Sequence, residues 1–180
     1  MNNLGKAVLV LDLQNDFIGI NAKFPVARHQ VPSMISNVNH IIRKKNEEKW
    51  HIIYIGNEFK KSQLISNWFR DNAALKGSAG AMIHEDVNVV NDLYFSKTSG
   101  DAFHNKKLVE YVNEHKINEV IIVGVFAEGC VFATAKGAKK QGIKVTVIKD
   151  AIAAANDSLK DKAVEKLESL GISIQNSICL

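Results

Sequence analysis

The chain has 180 residues, 46% hydrophobic and 23% charged, with two prolines and two cysteines; this suits one domain, residues 1–180, and excludes a fibre, a disordered chain and a disulfide-stapled scaffold. The formal charge of +4 is spread over lysine pairs such as Lys44 and Lys45 or Lys139 and Lys140, without a basic run or interleaved aromatics, so no nucleic-acid partner is expected. No segment approaches the roughly 18 apolar residues of a membrane span and the N-terminus has no signal-peptide pattern, so a cytoplasmic protein without a membrane partner is expected.

Short apolar runs alternate with amphipathic segments along the chain. Residues 7–13 (AVLVLDL) read as a strand buried on both faces, residues 32–48 as a helix, and residues 51–56 (HIIYIG) as a second buried strand. Residues 57–86 lack clear periodicity, and a structureless loop of that length is uncommon, so a helix is predicted over 62–75, either at a pocket mouth or in a subunit contact. Leu93, Tyr94 and Phe95 offer another strand. Residues 106–115 have helical spacing, residues 119–125 (EVIIVGV) continuous apolar character, residues 130–141 helical spacing again, and residues 144–150 (KVTVIKD) a further strand. The last helix opens on the cap cluster Asn156, Asp157, Ser158 and closes before Gly171. This alternation predicts a doubly wound α/β fold with helices on both faces of a mostly parallel sheet and ligands beyond the carboxyl ends of its strands.

Three residues interrupt this pattern at strand ends. Asp12 places a carboxylate inside an apolar run, which is costly unless the charge is paired; Gln14, Asn15 and Asp16 extend the polar edge. Lys97 follows the 93–95 run in KTSGDAF and by itself reads as a solvated loop residue. Cys130 follows the 119–125 strand by the turn Phe126-Ala127-Glu128-Gly129 and opens a helix. A helix N-terminus and a nearby lysine both stabilise a thiolate, so a pKa below the ordinary value of about 8.5 is expected. Cys179 reads as incidental. No glycine-rich turn follows the first strand, which argues against a dinucleotide-binding domain.

The segments VLVLDLQNDF, KTSGDAF and GVFAEGCVFATAKGAKKQGIKVTVIKDA, in that order and spacing, resemble the isochorismatase-like cysteine hydrolases, which include nicotinamidases and N-carbamoylsarcosine amidohydrolases. The resemblance covers nearly the whole chain and implies a six-stranded sheet carrying Asp12, Lys97 and Cys130 as a catalytic triad. It also implies an oxyanion hole from the backbone N–H groups of Phe126 and Cys130 and a cis peptide before Phe126. Phe17, Asn57, Phe59 and Trp68 are candidate substrate-binding residues. Where the nicotinamidase branch has Asp-x-His for a metal, this chain has Asn57-Glu58-Phe59, so neither metal nor cofactor is expected; a threonine common after the cis bond is Ala127. The implied activity is cleavage of an amide or carbamoyl-type C–N bond of a small molecule through a thioester, in a homodimer or homotetramer whose contact could involve Leu64, Ile65, Trp68 and Phe69. Two alternatives stand beside it: a vinyl ether hydrolase that uses Asp12 as acid and needs no thiol, and a non-catalytic α/β binding protein.

Overall fold

A computed structural model describes residues 5–63 and 68–180. Six strands form one sheet: β1 (Gly5–Leu11), β2 (His51–Asn57), β3 (Tyr94–Lys97), β4 (Ile117–Val125), β5 (Lys144–Ala153) and β6 (Ser173–Gln175). Their order across the sheet is β3-β2-β1-β4-β5-β6, and every neighbouring pair is parallel. The chain winds outward from β1 through β2 to β3, then returns to the other side of β1 for β4. That reversal puts a crevice at the carboxyl ends of β1 and its neighbours, where doubly wound sheets bind ligands.

The α-helices whose bounds lie among the described residues are α1 (Asn15–Ile18), α2 (Val31–Glu47), α3 (Lys106–Glu114), α4 (Phe132–Lys140) and α5 (Asp157–Ser169). Alternate side chains of β1 supply both faces of the sheet. Val8 and Val10 meet Met34, Val38, Ile41 and Ile42 of α2 in one core. Ala7, Leu9 and Leu11 meet Leu108 and Val112 of α3, Ala135 and Ala138 of α4, and Ala163 and Leu167 of α5 in the other. The small residues of α4 let it lie close to the sheet. Its Thr134 Oγ1 accepts from Ala102 N at 3.1 Å and donates to Gly100 O at 3.3 Å, which ties the segment after Lys97 to the helix after Cys130. Near the end of β4 only glycine fits: Gly124 has φ +115°, and a Cβ there would collide with the backbone of Leu11.

The helix expected over 62–75 differs from what is found. Leu64 and Ile65 lie outside the described residues; Trp68 and Phe69 are helical, but turns follow from Arg70. Asp71, Asn72 and Ala74 take left-handed φ values of 50°, 56° and 51°, which no right-handed helix accommodates. The strand β6, three residues long, was too short for periodicity to reveal. Among the described residues no helix is long and apolar enough to cross a membrane.

Candidate active site

Asp12 leaves β1 in the left-handed region at φ 53°, which aspartate tolerates better than most residues. Its N–H donates to Ile55 O at 2.8 Å. Lys97 is the last residue of β3, and its side chain crosses beneath the end of β2. The ammonium lies 2.8 Å from Asp12 Oδ2, with both side chains essentially inaccessible to solvent. It also donates to Asn57 Oδ1 at 2.9 Å and to Cys130 Sγ at 3.1 Å. The same carboxylate acts on both partners: its charge and its hydrogen bonding raise the pKa of the ammonium and of the thiol alike. Cys130 lies in one π-helical turn, Ala127–Val131, that precedes α4, so the helical path starts earlier than expected and the thiol sits within its first turn.

The Val125–Phe126 peptide is cis. The Phe126 carbonyl accepts from the N–H groups of Gly129 at 3.0 Å and Val131 at 3.1 Å, closing the turn that carries the cysteine. Asn57 is held by an amide pair: its N–H donates to Gln14 Oε1 at 2.9 Å, and Gln14 Nε2 donates to Asn57 O at 2.8 Å. So fixed, Asn57 accepts from Lys97 and points Nδ2 at Cys130 Sγ, 3.7 Å away. The polar run after β1 thus supplies the aspartate and, two residues on, the glutamine that sets the asparagine.

The electrostatics reverse one expectation. Burial first, and then the Asp12 carboxylate, push the Cys130 thiol up to about 12, with Lys97 opposing them. The expected acid shift supposed a lysine whose charge was open to the sulfur; here Asp12 already neutralises it. Burial works against the charge of Lys97, but Asp12 and then Cys130 outweigh it and hold the ammonium above its ordinary value. At rest the Lys97 ammonium is therefore kept charged against Asp12, and the thiol beside it is kept protonated.

Cys130 faces a cavity of about 330 Å³ whose wall includes Phe17, Phe59, Phe126, Asn57, Arg70 and Glu128. Phe17 meets Phe126 edge-on with centroids 5.6 Å apart. Phe24, which the sequence did not single out, leans on the other side of Phe126 at 5.4 Å and also lines the cavity. Arg70 lies over the Phe59 ring, 3.5 Å from its centroid, and burial lowers its pKa from the ordinary value while the Cys130 charge opposes that. Thr98, Ser99, Gly100 and Ala155 complete the wall from the loops after β3 and β5.

Of the residues singled out in the sequence, Cys130 and Asn57 line the cavity, Asp12 and Lys97 meet them out of solvent behind its lining, and Phe17, Phe59 and Phe126 stand in its wall. Trp68 does not join them. It is 76% exposed and packs edge-on against Phe69 outside the cavity, because the left-handed turns after Arg70 bring Arg70 inward and leave the tryptophan outside. Phe24 and Arg70 were missed because each reaches the site from a segment whose course no periodicity reveals; Glu128 lies in the turn Ala127–Val131, read only as the lead into Cys130.

A buried acid, ammonium and thiol thus lie together at the carboxyl edge of a doubly wound parallel sheet. A family model for the isochorismatase domain matches residues 6–177, and the chain belongs to that family of hydrolases. An uncharacterized isochorismatase family protein of Bacillus subtilis, YaaI, is 25% identical, the match covering 94% of this chain and 92% of that protein. An isochorismatase-like hydrolase from Alkaliphilus metalliredigens superposes with a TM-score of 0.88 at 22% identity, covering 96% of this chain and 95% of that one. The pyrazinamidase of Pyrococcus horikoshii, solved in complex with zinc, gives a TM-score of 0.84 at 26% identity, covering 95% and 98%. A zinc site does not fit here: among the described residues no three His, Cys, Asp or Glu side chains cluster as a metal would require, and β2 ends in Asn57, followed by Glu58 and Phe59.

Proposed function

We propose that the protein hydrolyses a C–N bond of a small, planar amide or carbamoyl compound, with Cys130 as nucleophile. The observation that carries this reading is the Cys130 thiol, 3.1 Å from a buried ammonium that is itself paired with Asp12, at the floor of a cavity walled by four phenylalanines. Asp12 takes the thiol proton as Sγ attacks the carbonyl carbon, and Lys97 keeps the new charge paired. The oxyanion of the tetrahedral adduct takes hydrogen bonds from the backbone N–H groups of Phe126 and Cys130. Collapse breaks the C–N bond, the leaving nitrogen receives the proton from Asp12, and a thioester remains. Asp12 then takes a proton from water, the hydroxide adds to the thioester carbon, and the acid leaves as the thiol is re-formed. The raised thiol pKa suits this sequence, because the proton moves only when a substrate is present to accept the sulfur.

The test is a panel of small carboxamides scored by ammonia release, together with the intact mass of the Cys130 peptide in samples quenched early. Ammonia release and an acyl mass on Cys130 are expected in the parent, and both vanish in Cys130→Ala. Ammonia release that persists in Cys130→Ala overturns the nucleophile, and failure of every amide overturns the reaction class.

A further inference from the structure

Arg70 and Glu128 are the charged side chains in the cavity wall among the described residues. The Arg70 guanidinium is stacked on Phe59 and has a further interaction beside it. The Glu128 carboxylate is held by one oxygen alone. Its Oε1 accepts from Ala155 N at 3.0 Å, whereas Oε2 is withdrawn from solvent with no hydrogen-bond partner. A buried polar group left unsatisfied costs about 1–3 kcal/mol, and more if it is charged, so in the free protein this oxygen is an acceptor in want of a donor.

Its position gives that want a direction. Glu128 lies two residues before Cys130 in the same turn at the end of β4, and its anchor, Ala155, follows β5. Arg70 follows β2, on the far side of β1. With strands about 4.8 Å apart, the opposite charges enter the cavity from opposite flanks of β1. A ligand lying across the nucleophile thus meets a fixed carboxylate on the β5 side.

We propose that Glu128 is a specificity-determining acceptor, and that the cavity selects small amides whose non-reacting end carries a cationic or N–H-rich group, such as an amine, amidine or guanidine. This rests on the amide-hydrolase reading of the same cavity. Each such group supplies the donor that Oε2 lacks, in a charge-assisted bond roughly twice as strong as a neutral one.

Benzamidinium, benzamide and benzoate, which share one ring and differ in the charge and donors of the head group, test it. The readout is protection of Cys130 from iodoacetamide at pH 9, with the exposed Cys179 in the same sample as reference. In the parent, benzamidinium is expected to protect at a concentration at least tenfold below that of benzoate. Glu128→Gln keeps an oxygen for Ala155 N–H but presents an amide where Oε2 was. It should weaken benzamidinium at least tenfold and leave benzamide within twofold, and Glu128→Ala should do the same, with thermal melts confirming that both variants fold. An unchanged ladder in both variants, or benzoate as the best protector of the parent, overturns the proposal. Amide turnover with a ladder indifferent to Glu128 sinks this inference alone. A Glu128-dependent ladder without turnover of any amide sinks the hydrolase reading and leaves the acceptor in place.

Discussion

Replacing Asp12 by asparagine is expected to slow turnover severely and yet make Cys130 more reactive. Lys97 Nζ lies 2.8 Å from Asp12 Oδ2 and 3.1 Å from Cys130 Sγ, so carboxylate and sulfur are no more than about 6 Å apart. At that limit, and at an effective dielectric constant near 20, one unit charge opposes another by roughly 3 kcal/mol, or about a hundredfold in the thiolate fraction. Asparagine removes that opposition and leaves the buried ammonium with the thiolate as its one available counter-anion. Both effects lower the thiol pKa. The assay is the iodoacetamide alkylation rate of Cys130 between pH 7 and 9, followed by peptide mass spectrometry against Cys179. The variant should react about a hundredfold faster than the parent, while ammonia release falls by about 10²- to 10⁴-fold for want of the general base. An alkylation rate equal to or below that of the parent, in a variant that still melts cooperatively, would refute the part assigned to Asp12, beside burial, in holding the thiol protonated.

Lys97→Met keeps the chain length but strands the Asp12 carboxylate; losing one partner of a buried pair costs about 3–5 kcal/mol, so a melting temperature lower by roughly 6–20 °C is expected, and a shift under about 2 °C would contradict the ion pair. Phe24→Ala should raise KM about two- to tenfold with kcat little changed, since an aromatic contact is worth about 0.5–1.5 kcal/mol. Trp68→Ala should leave KM within about twofold, and the reverse result in steady-state kinetics would show the cavity to be wrongly drawn. The thiol pKa, raised from an ordinary 9.0 to about 12, also sets a stability dependence. The unfolded chain gives up this proton first, so the contribution is intact below about pH 9 and is lost as pH rises toward 12, by up to about 1.4 kcal/mol per pH unit. Urea melts at pH 8 and 10 should show the parent losing about that much more than Cys130→Ser; equal losses would count against the raised value.

The strands were legible where burial on both faces left an unbroken apolar run, as in residues 7–11, 51–56, 119–125 and 144–148. Polar residues closing those runs marked Asp12, and the order of three segments marked Lys97 and Cys130. The loops resisted for a physical reason. Whether an aromatic residue in a loop faces the cavity depends on turn conformations that composition does not encode: the left-handed residues Asp71, Asn72 and Ala74 bring Arg70 to Phe59 and leave Trp68 in solvent, although tryptophan reads as the stronger candidate. Phe24 belongs to a loop that returns to the site because Phe24 N donates to Asp16 O at 3.0 Å and Val26 N to Phe17 O at 3.1 Å, contacts that no spacing rule announces.

The thiol pKa is the sharper lesson. A helix start and a lysine are sound reasons to expect a thiolate, yet burial first, and then the carboxylate that the lysine already serves, outweigh them. Only the fold shows that Asp12 holds the ammonium at 2.8 Å and that Asn57 and Cys130 share its remaining protons. One cation between two potential anions admits one charge at rest and a second only when a proton is taken up elsewhere. That constraint would couple nucleophile and base in the proposed reaction. There the sulfur becomes anionic as Asp12 becomes neutral, so the buried net charge is the same before and after the transfer, and the desolvation that makes a free thiolate costly does not oppose its formation during attack. A cysteine kept protonated in this way is also shielded from adventitious oxidants and alkylators, which act on the thiolate.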